Sequence, residues 1–267
     1  MRITVVLGRE SYASDASYKG MIAALKASGH VISECAALVP GTDAQLVLSV
    51  GGDGTFLGVA RAAAPYGLPV AGVNLGHLGF LSENTPEAIA DALSSGKYHI
   101  QERAMLSASC NGSNYLALNE MCLSRADSSM LGVQVAVDGN DLPVYWADGL
   151  LVSTPSGSTA YSLSVGGPIV APSSRVLIIA PVAPHNLNVR PLVVPLESRI
   201  SLRLISRADV VRFSADNISL TIPSDSSVEI SVAQFSLKRL CLDNTNFIKA
   251  LSEKLFWGED KRNGNDR

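Results

Sequence analysis

The sequence predicts two halves of different class: an α/β half up to about residue 100, then an all-β, sandwich-like half closed by one terminal helix. Three observations predict this. Apolar β-branched runs alternate with helix-period segments over residues 1–100. Strand-length runs separated by turn sequences fill residues 101–243, with no helical pattern between them. Residues 244–267 carry an apolar helical stripe followed by a charged tail.

Taken in order, Ile3–Leu7 is apolar and β-branched, the mark of a buried strand. Ala16–Ser28 sets Tyr18, Met21, Ile22 and Leu25 at helical spacing and stops at Gly29, which has no Cβ to oppose a left-handed helix end. Gln45–Val50 is the next strand, followed by a helix over Thr55–Ala64 and a short strand at Val70–Val73. Thr85-Pro86-Glu87 opens another helix with a capping hydroxyl, proline at the first helical position and an acid in the first turn. Ile89 and Leu93 give that helix its buried side. The alternation predicts a Rossmann-like parallel sheet with covering helices.

Beyond it, Tyr115–Leu123, Leu131–Val137, Leu150–Ser153, Arg175–Ala180, Arg199–Ser206, Val210–Phe213, Ile218–Ile222 and Ser227–Leu242 read as strands. Asp138-Gly139-Asn140 and Pro223-Ser224-Asp225 supply turn chemistry between them. Asn244 or Thr245 can cap the last helix, whose Phe247, Ile248, Leu251 and Leu255 predict packing back on the first half.

The 267 residues are 47% hydrophobic and 17% charged, enough apolar material for a sizeable core. A net charge of −3 provides no global positive field for nucleic acid or anionic lipid. No apolar run approaches the roughly 18 residues that span a bilayer, and the run in MRITVVLGRE is short for a signal peptide. Cys35, Cys110, Cys122 and Cys241 lack any CxxC or Cys/His ligand spacing, as do His77 and His185. The expectation is a cytoplasmic protein with free thiols, no protein-held metal, and neither nucleic acid nor membrane as partner.

Two segments carry chemistry. In SVGGDGTFLG (49–58), a strand runs into Gly51, Gly52, Asp53, Gly54 and Thr55. Backbone N–H groups at such a turn suit phosphate oxygens, and glycines let a ligand approach closely. A carboxylate repels phosphate, so Asp53 makes sense beside a hydroxyl nucleophile or a Mg²⁺ ion. By itself the motif is equally an ordinary tight turn with an aspartate cap. The second segment, DGLLVSTPSGSTAYSLSVGGPIV (148–170), again sets an acid and an apolar strand before a loop dense in hydroxyls and glycines. Tyr161 adds a flat face for a base.

Taken together, GGDGTFL (51–57), NLGHLGFL (74–81), LNE (118–120), the 148–170 block and PHNLNVRPLVV (184–194) resemble the NAD kinase family, in order and at family-like spacing. GGDG alone is weakly specific, being shared with lipid kinases and phosphofructokinases; the 148–170 block is highly specific. The resemblance implies transfer of the terminal phosphoryl group of ATP, or polyphosphate, to the 2′-hydroxyl of the adenosine ribose of NAD, giving NADP. It implies Mg²⁺ carried on ATP and a homodimer or homotetramer.

Carried onto this chain, the resemblance makes Asp53 the catalytic acid–base residue at that hydroxyl. Gly52, Gly54, Thr55 and Phe56 would accompany it in the nucleotide site. Asn119 and Glu120 would meet adenine nitrogens and ribose hydroxyls, and Asp148 the nicotinamide end. Thr159, Ala160, Tyr161 and Ser164 would line the adenine pocket, with Ser156, Ser162, Leu163, Ala183 and Asn217 as further cofactor contacts. Trp146 stands where the family often has Arg or Lys, so an indole replaces a cation that could meet phosphate. His185 and Arg190 read as packing or interface residues.

An aspartate's reference pKa of about 3.9 lies far below that of an efficient general base at neutral pH. In a loose phosphoryl-transfer transition state the proton can move late, so Asp53 is expected to orient the hydroxyl first. Two alternatives remain at this stage: a lipid-type kinase, which would need a membrane-facing element and lack the STPSGSTAY block, and a non-catalytic dinucleotide sensor. A dehydrogenase fits poorly, because the glycine turn is not GxGxxG.

Overall fold

The computed structural model describes residues 1–39, 41–76, 79–243 and 245–255. Strands β1 (Arg2–Leu7), β2 (Val31–Cys35), β3 (Leu46–Val50) and β4 (Val70–Val73) alternate with helices α1 (Ala16–Ala27) and α2 (Asp53–Ala63). Helix α3 (Pro86–Ser95) and strand β5 (Tyr98–Arg103) follow. The second half begins with β6 (Leu106–Cys110), β7 (Ser113–Ala117), β8 (Glu120–Arg125), β9 (Leu131–Val137), β10 (Asn140–Asp141) and β11 (Tyr145–Ser153). After the one-turn α4 (Tyr161–Ser164) come β12 (Val176–Pro184), β13 (Leu192–Pro195), β14 (Ile200–Ser206), β15 (Val210–Ala215), β16 (Ile218–Pro223) and β17 (Ser227–Val232). Strand β18 (Leu237–Leu242) and helix α5 (Phe247–Leu255) complete the described residues.

The first sheet has the order β2-β1-β3-β4-β18-β5, parallel except for β5. From β1 the chain steps outward to β2, and from β3 it steps the opposite way to β4. Right-handed crossovers therefore place α1 and α2 on opposite faces. Tyr18, Met21, Ile22 and Leu25 of α1 join Ile89 and Leu93 of α3 over one face. Phe56, Val59, Ala60 and Ala63 of α2 cover the other, where Met105 and Leu118 of the second half meet them. Helix α2 thus sits at the junction of the two halves.

Strand β18 falls in the stretch read as β-rich, yet it pairs in the first sheet. Ser227–Leu242 is two strands rather than one, and Tyr115–Leu123 likewise divides into β7 and β8. Leu240 and Leu242 enter one core while Leu237 enters the other, so β18 is buried on both faces and needs a central position. Lys238 and Arg239 conceal that burial in the sequence.

The second sheet runs β16-β15-β8-β11-β9-β14-β17-β6-β7, with β10 paired to β9 and β12 bridging β11 and β13. It curls strongly: Tyr115 of terminal β7 packs edge-on against Phe213 of β15, with centroids 5.0 Å apart. The resulting antiparallel half-barrel surrounds its own core, centred on Leu123, Val135, Leu150, Ile179 and Leu202.

Helix α5 does return to the first half, as expected. Its start is capped by Asn246, whose side chain accepts from the Ile248 N–H at 2.9 Å; Thr245 precedes that cap, and Asn244 lies outside the described residues. Ile248 faces solvent, while Phe247, Ala250, Leu251, Lys254 and Leu255 are half-buried. Helical geometry turns position 248 away from the 247/251/254 line, so the stripe is narrower than predicted.

Candidate active site

Three parallel strands, β1, β3 and β4, end together, and the turn after β3 lies at the point where strand order reverses. This is where open α/β sheets bind ligands. Gly52 caps α2 in extended conformation with no side chain satisfying the first-turn N–H groups. The helix begins at Asp53, two residues earlier than the pattern predicts. A Cβ at Gly52 or Gly54 would meet nothing within 4 Å, so the protein's own packing does not require glycine there. What their small size leaves is room for an approaching group. Thr55 turns inward: a Cβ at Gly8 or Gly51 would come within 2.4 or 2.5 Å of its Oγ1. Phe56, expected to contact ligand, is fully buried among Val6, Val47 and Val70 and belongs to the core.

Asp53 itself is half-buried and fixed. Its Oδ2 accepts from the Phe80 N–H at 3.0 Å, and its Oδ1 from Leu81 and Ser82 at 3.1 and 2.9 Å. A Cβ at Gly79 would lie 2.1 Å from Oδ1. Gly79→Ala is therefore expected to displace the carboxylate and lower turnover about 10-fold or more. Displacing the carboxylate also breaks its bonds to the Phe80, Leu81 and Ser82 N–H groups, so the melting temperature should fall by on the order of 5 °C; steady-state kinetics alongside a melting curve checks both.

The Asn119–Glu120 pair is held by a residue that sequence reasoning missed. Asp216, at φ 51° in the β15–β16 turn, accepts from the N–H groups of Leu118, Asn119 and Glu120 at 2.8, 2.9 and 3.2 Å. Beside it, Asn217 donates to the Gly54 carbonyl at 3.2 Å and accepts from Arg61 at 3.1 Å. Arg61 also stands 3.8 Å from the Asp216 carboxylate. One turn of the second half thereby ties the glycine-flanked aspartate's helix to the asparagine–glutamate pair. Gly54 and Arg61, seven residues apart on α2, share one helix face, which lets a single turn reach both.

Asn119 Oδ1 and Glu120 Oε2 are buried without a protein partner. Orphaned polar atoms at such a point call for a ligand or water. Burial foremost, then the charge of Asp216, pushes the Glu120 carboxyl up to about 8, against the pull of the Tyr161 N–H. The folded chain therefore holds this proton between roughly pH 4.5 and 8 while an unfolded chain releases it. On that account stability falls as pH rises through that window. Glu120→Gln should remove the decline, melting higher than the parent by on the order of 5 °C at pH 8 and by much less at pH 5.

The hydroxyl-rich loop packs onto the same peptide. Thr154 Oγ1 donates to Leu118 O at 2.6 Å, Ser153 Oγ to Asn119 O at 3.1 Å, and the Thr154 N–H to Asn119 O at 2.9 Å. Tyr161 and Ser164 are exposed, and Thr159, Ala160 and Leu163 are half-buried. Two predicted cofactor-binding residues face inward instead. Ser162 is fully buried, its Oγ against Gly167 and without a hydrogen-bond partner, and Ser156 is nearly buried, accepting from Arg103 at 3.4 Å. A hydroxyl that serves the loop's own backbone is that of Ser158, which donates to the Pro155 carbonyl at 2.7 Å and accepts from the Val170 N–H at 3.0 Å.

Farther along β11, Asp148 lies 3.2 Å from Arg125 and 3.8 Å from His185. Ala183 of β12 takes φ 45°, uncommon for a non-glycine residue, directly across from Asp148 in the β11–β12 register. The Trp146 indole lies over Gly132, where a Cβ would come within 2.8 Å of the ring, so packing on β9 occupies one of its faces. Arg190 donates to the carbonyls of Leu187 and Val189. His77 lies outside the described residues.

Comparison with known proteins agrees with this geometry. Residues 16–97 match the ATP-NAD kinase N-terminal domain and residues 118–241 the ATP-NAD kinase C-terminal domain. An NAD kinase of Bacteroides fragilis is 41% identical over 228 residues, covering 82% of this chain and 79% of that one. One of Cytophaga hutchinsonii is 42% identical over 226 residues, covering 82% and 77%. Among solved structures, yeast NADH kinase complexed with NADH shares the fold, with TM-score 0.84 at 20% identity over 97% of this chain and 88% of that one. An NAD kinase from Archaeoglobus fulgidus in complex with ATP gives TM-score 0.78 at 26% identity over 96% and 99%. Relatives this similar over four fifths of its length leave one assignment: the chain belongs to the NAD kinase family.

Proposed function

We propose that the chain transfers the terminal phosphoryl group of ATP, or of polyphosphate, to the 2′-hydroxyl of the adenosine ribose of NAD, forming NADP. One observation carries this reading. The turn bearing Asp53 and the segment bearing the orphaned Asn119 and Glu120 atoms are tied together through Arg61, Asp216 and Asn217. Asp53, its carboxylate fixed by three N–H donors, receives the ribose hydroxyl as a hydrogen-bond donor and orients its oxygen. That oxygen bonds to phosphorus as the bond to the ADP oxygen breaks, and the hydroxyl proton passes late to Asp53.

Open N–H groups and the space above Gly52 and Gly54 receive the donor phosphates. A Mg²⁺ ion carried on ATP would supply neutralisation of the phosphate charge there. Asn119 meets the adenine edge, and Glu120, largely protonated at neutral pH, both donates to and accepts from the ribose. The exposed Tyr161 ring supplies a stacking face. Asp148 lies about 17 Å along β11 from Ser153, a distance from five strand steps that suits the far end of an extended dinucleotide. On family resemblance, the protein works in the cytoplasm as a homodimer or homotetramer, which light scattering would test.

The decisive experiment is a panel of Mg–ATP and polyphosphate against NAD, NADH and diacylglycerol, with NADP(H) and phosphatidate both measured. NADP formation that depends on Asp53 supports the reading. Phosphatidate alone, or dinucleotide binding without turnover, overturns it.

A further inference from the structure

Three consecutive peptide groups stand between Asp53 and two cations. On one side the N–H groups of Phe80, Leu81 and Ser82 donate to the Asp53 carboxylate. On the other side the carbonyls of the same three peptides accept. Gly79 O accepts from Lys254 Nζ of helix α5, and Phe80 O and Leu81 O accept from Arg239 of β18 at 3.0 and 3.3 Å. Glu83 holds the cations together, 2.7 Å from Arg239 and 3.8 Å from Lys254. The Lys254 ammonium also lies 5.2 Å from the Phe80 ring centroid.

Each peptide dipole therefore has a cation at its carbonyl end and a carboxylate at its N–H end. In such an arrangement each hydrogen bond polarises the peptide and strengthens its neighbour. The Arg239 and Lys254 side chains are only 4% and 17% exposed, so water screens the arrangement weakly. Burial foremost, with the neighbouring Arg239 charge, lowers the lysine's pKa, against the pull of Glu83 and, more weakly, of Asp53 itself.

We infer that Lys254 and Arg239 are positioning residues for Asp53, acting through the 79–82 loop to set where the one lone pair left free on Oδ2 faces the acceptor hydroxyl. The inference rests on the proposed role of Asp53. It gives the terminal helix a part in chemistry that it does not touch.

Lys254→Met keeps the aliphatic stem and removes the charge, and α5 has no fully buried residue whose loss would threaten folding. Turnover is expected to fall about 10-fold with KM for NAD and ATP changed less than about twofold, because orientation is lost while binding contacts remain. Lys254→Arg should restore most of the turnover. Lys249→Met, on the exposed side of the same helix and paired with Glu253 at 3.7 Å, should leave turnover unchanged. In an Asp53→Asn chain, Lys254→Met should cost nothing further, since both changes act on one carboxylate. Unchanged turnover in Lys254→Met, or an equal loss in both backgrounds, overturns the inference. Asp53→Asn is assayed alone in the same set, so normal turnover there would overturn the reading of Asp53 and this inference with it.

Discussion

Asp53→Asn is expected to depress NADP formation about 10²-fold or more while NAD affinity stays within about threefold. The affinity survives because NAD is to be held by Asn119, Glu120 and the 153–164 loop, none of which bonds to Asp53 among the described contacts. Turnover falls because an amide cannot take the hydroxyl proton. The substitution also has a local cost. An amide oxygen at Oδ1 still accepts from Leu81 and Ser82, but an NH₂ at Oδ2 would face the Phe80 N–H donor. Losing that one bond costs roughly 1 kcal/mol, too little to unfold the chain. Steady-state kinetics and calorimetric titration of NAD separate the two effects. Near-normal turnover in a folded variant would end the assignment.

Gly157→Ala is the second large effect. A Cβ there would lie 2.2 Å from the Asn119 carbonyl oxygen and 2.5 Å from its carbonyl carbon. These are backbone atoms, and they are already engaged by Ser153 and the Thr154 N–H. No flexible side chain can yield, so either the loop lifts or the Asn119 peptide shifts. Overpacking of this kind costs on the order of 3 kcal/mol. It should also weaken NAD binding at least about 10-fold, because the two segments proposed to hold the dinucleotide move together. Chemical denaturation and NAD titration measure the pair. A variant that binds NAD normally with unchanged stability would show that the loop does not rest on Asn119 as described.

Gly157 and Gly79 separate two reasons for a glycine near a site. At Gly157 the neighbour is backbone, so a methyl group is predicted to act on stability and binding. At Gly79 the neighbour is the Asp53 carboxylate, so it is predicted to act on turnover as well as on stability. Gly52 and Gly54, with open space above them, serve neither packing purpose. Larger residues there would be tolerated by the fold and excluded only by an incoming ligand.

Much of the molecule was legible in the chain read as a string. Local signals carry it: β-branched runs for the first sheet, Thr85-Pro86-Glu87 for α3, Gly29 at φ 80° for the end of α1. The phosphate-suited turn and the hydroxyl-rich loop were legible too, because each is a contiguous segment whose composition reflects its own backbone needs. What escaped is what depends on partners distant in sequence. Strand β18 looked like an ordinary β strand, since nothing in LKRLCL says that both of its faces are covered. Asp216 drew no attention, because its three N–H donors lie about a hundred residues away. The fates of Phe56, Ser156 and Ser162 turned on which way a side chain faces once the halves close. Composition and spacing name the chemistry a segment can perform. Folding alone brings remote segments within hydrogen-bond reach, and only that contact settles whether a polar residue serves the ligand or the loop that carries it.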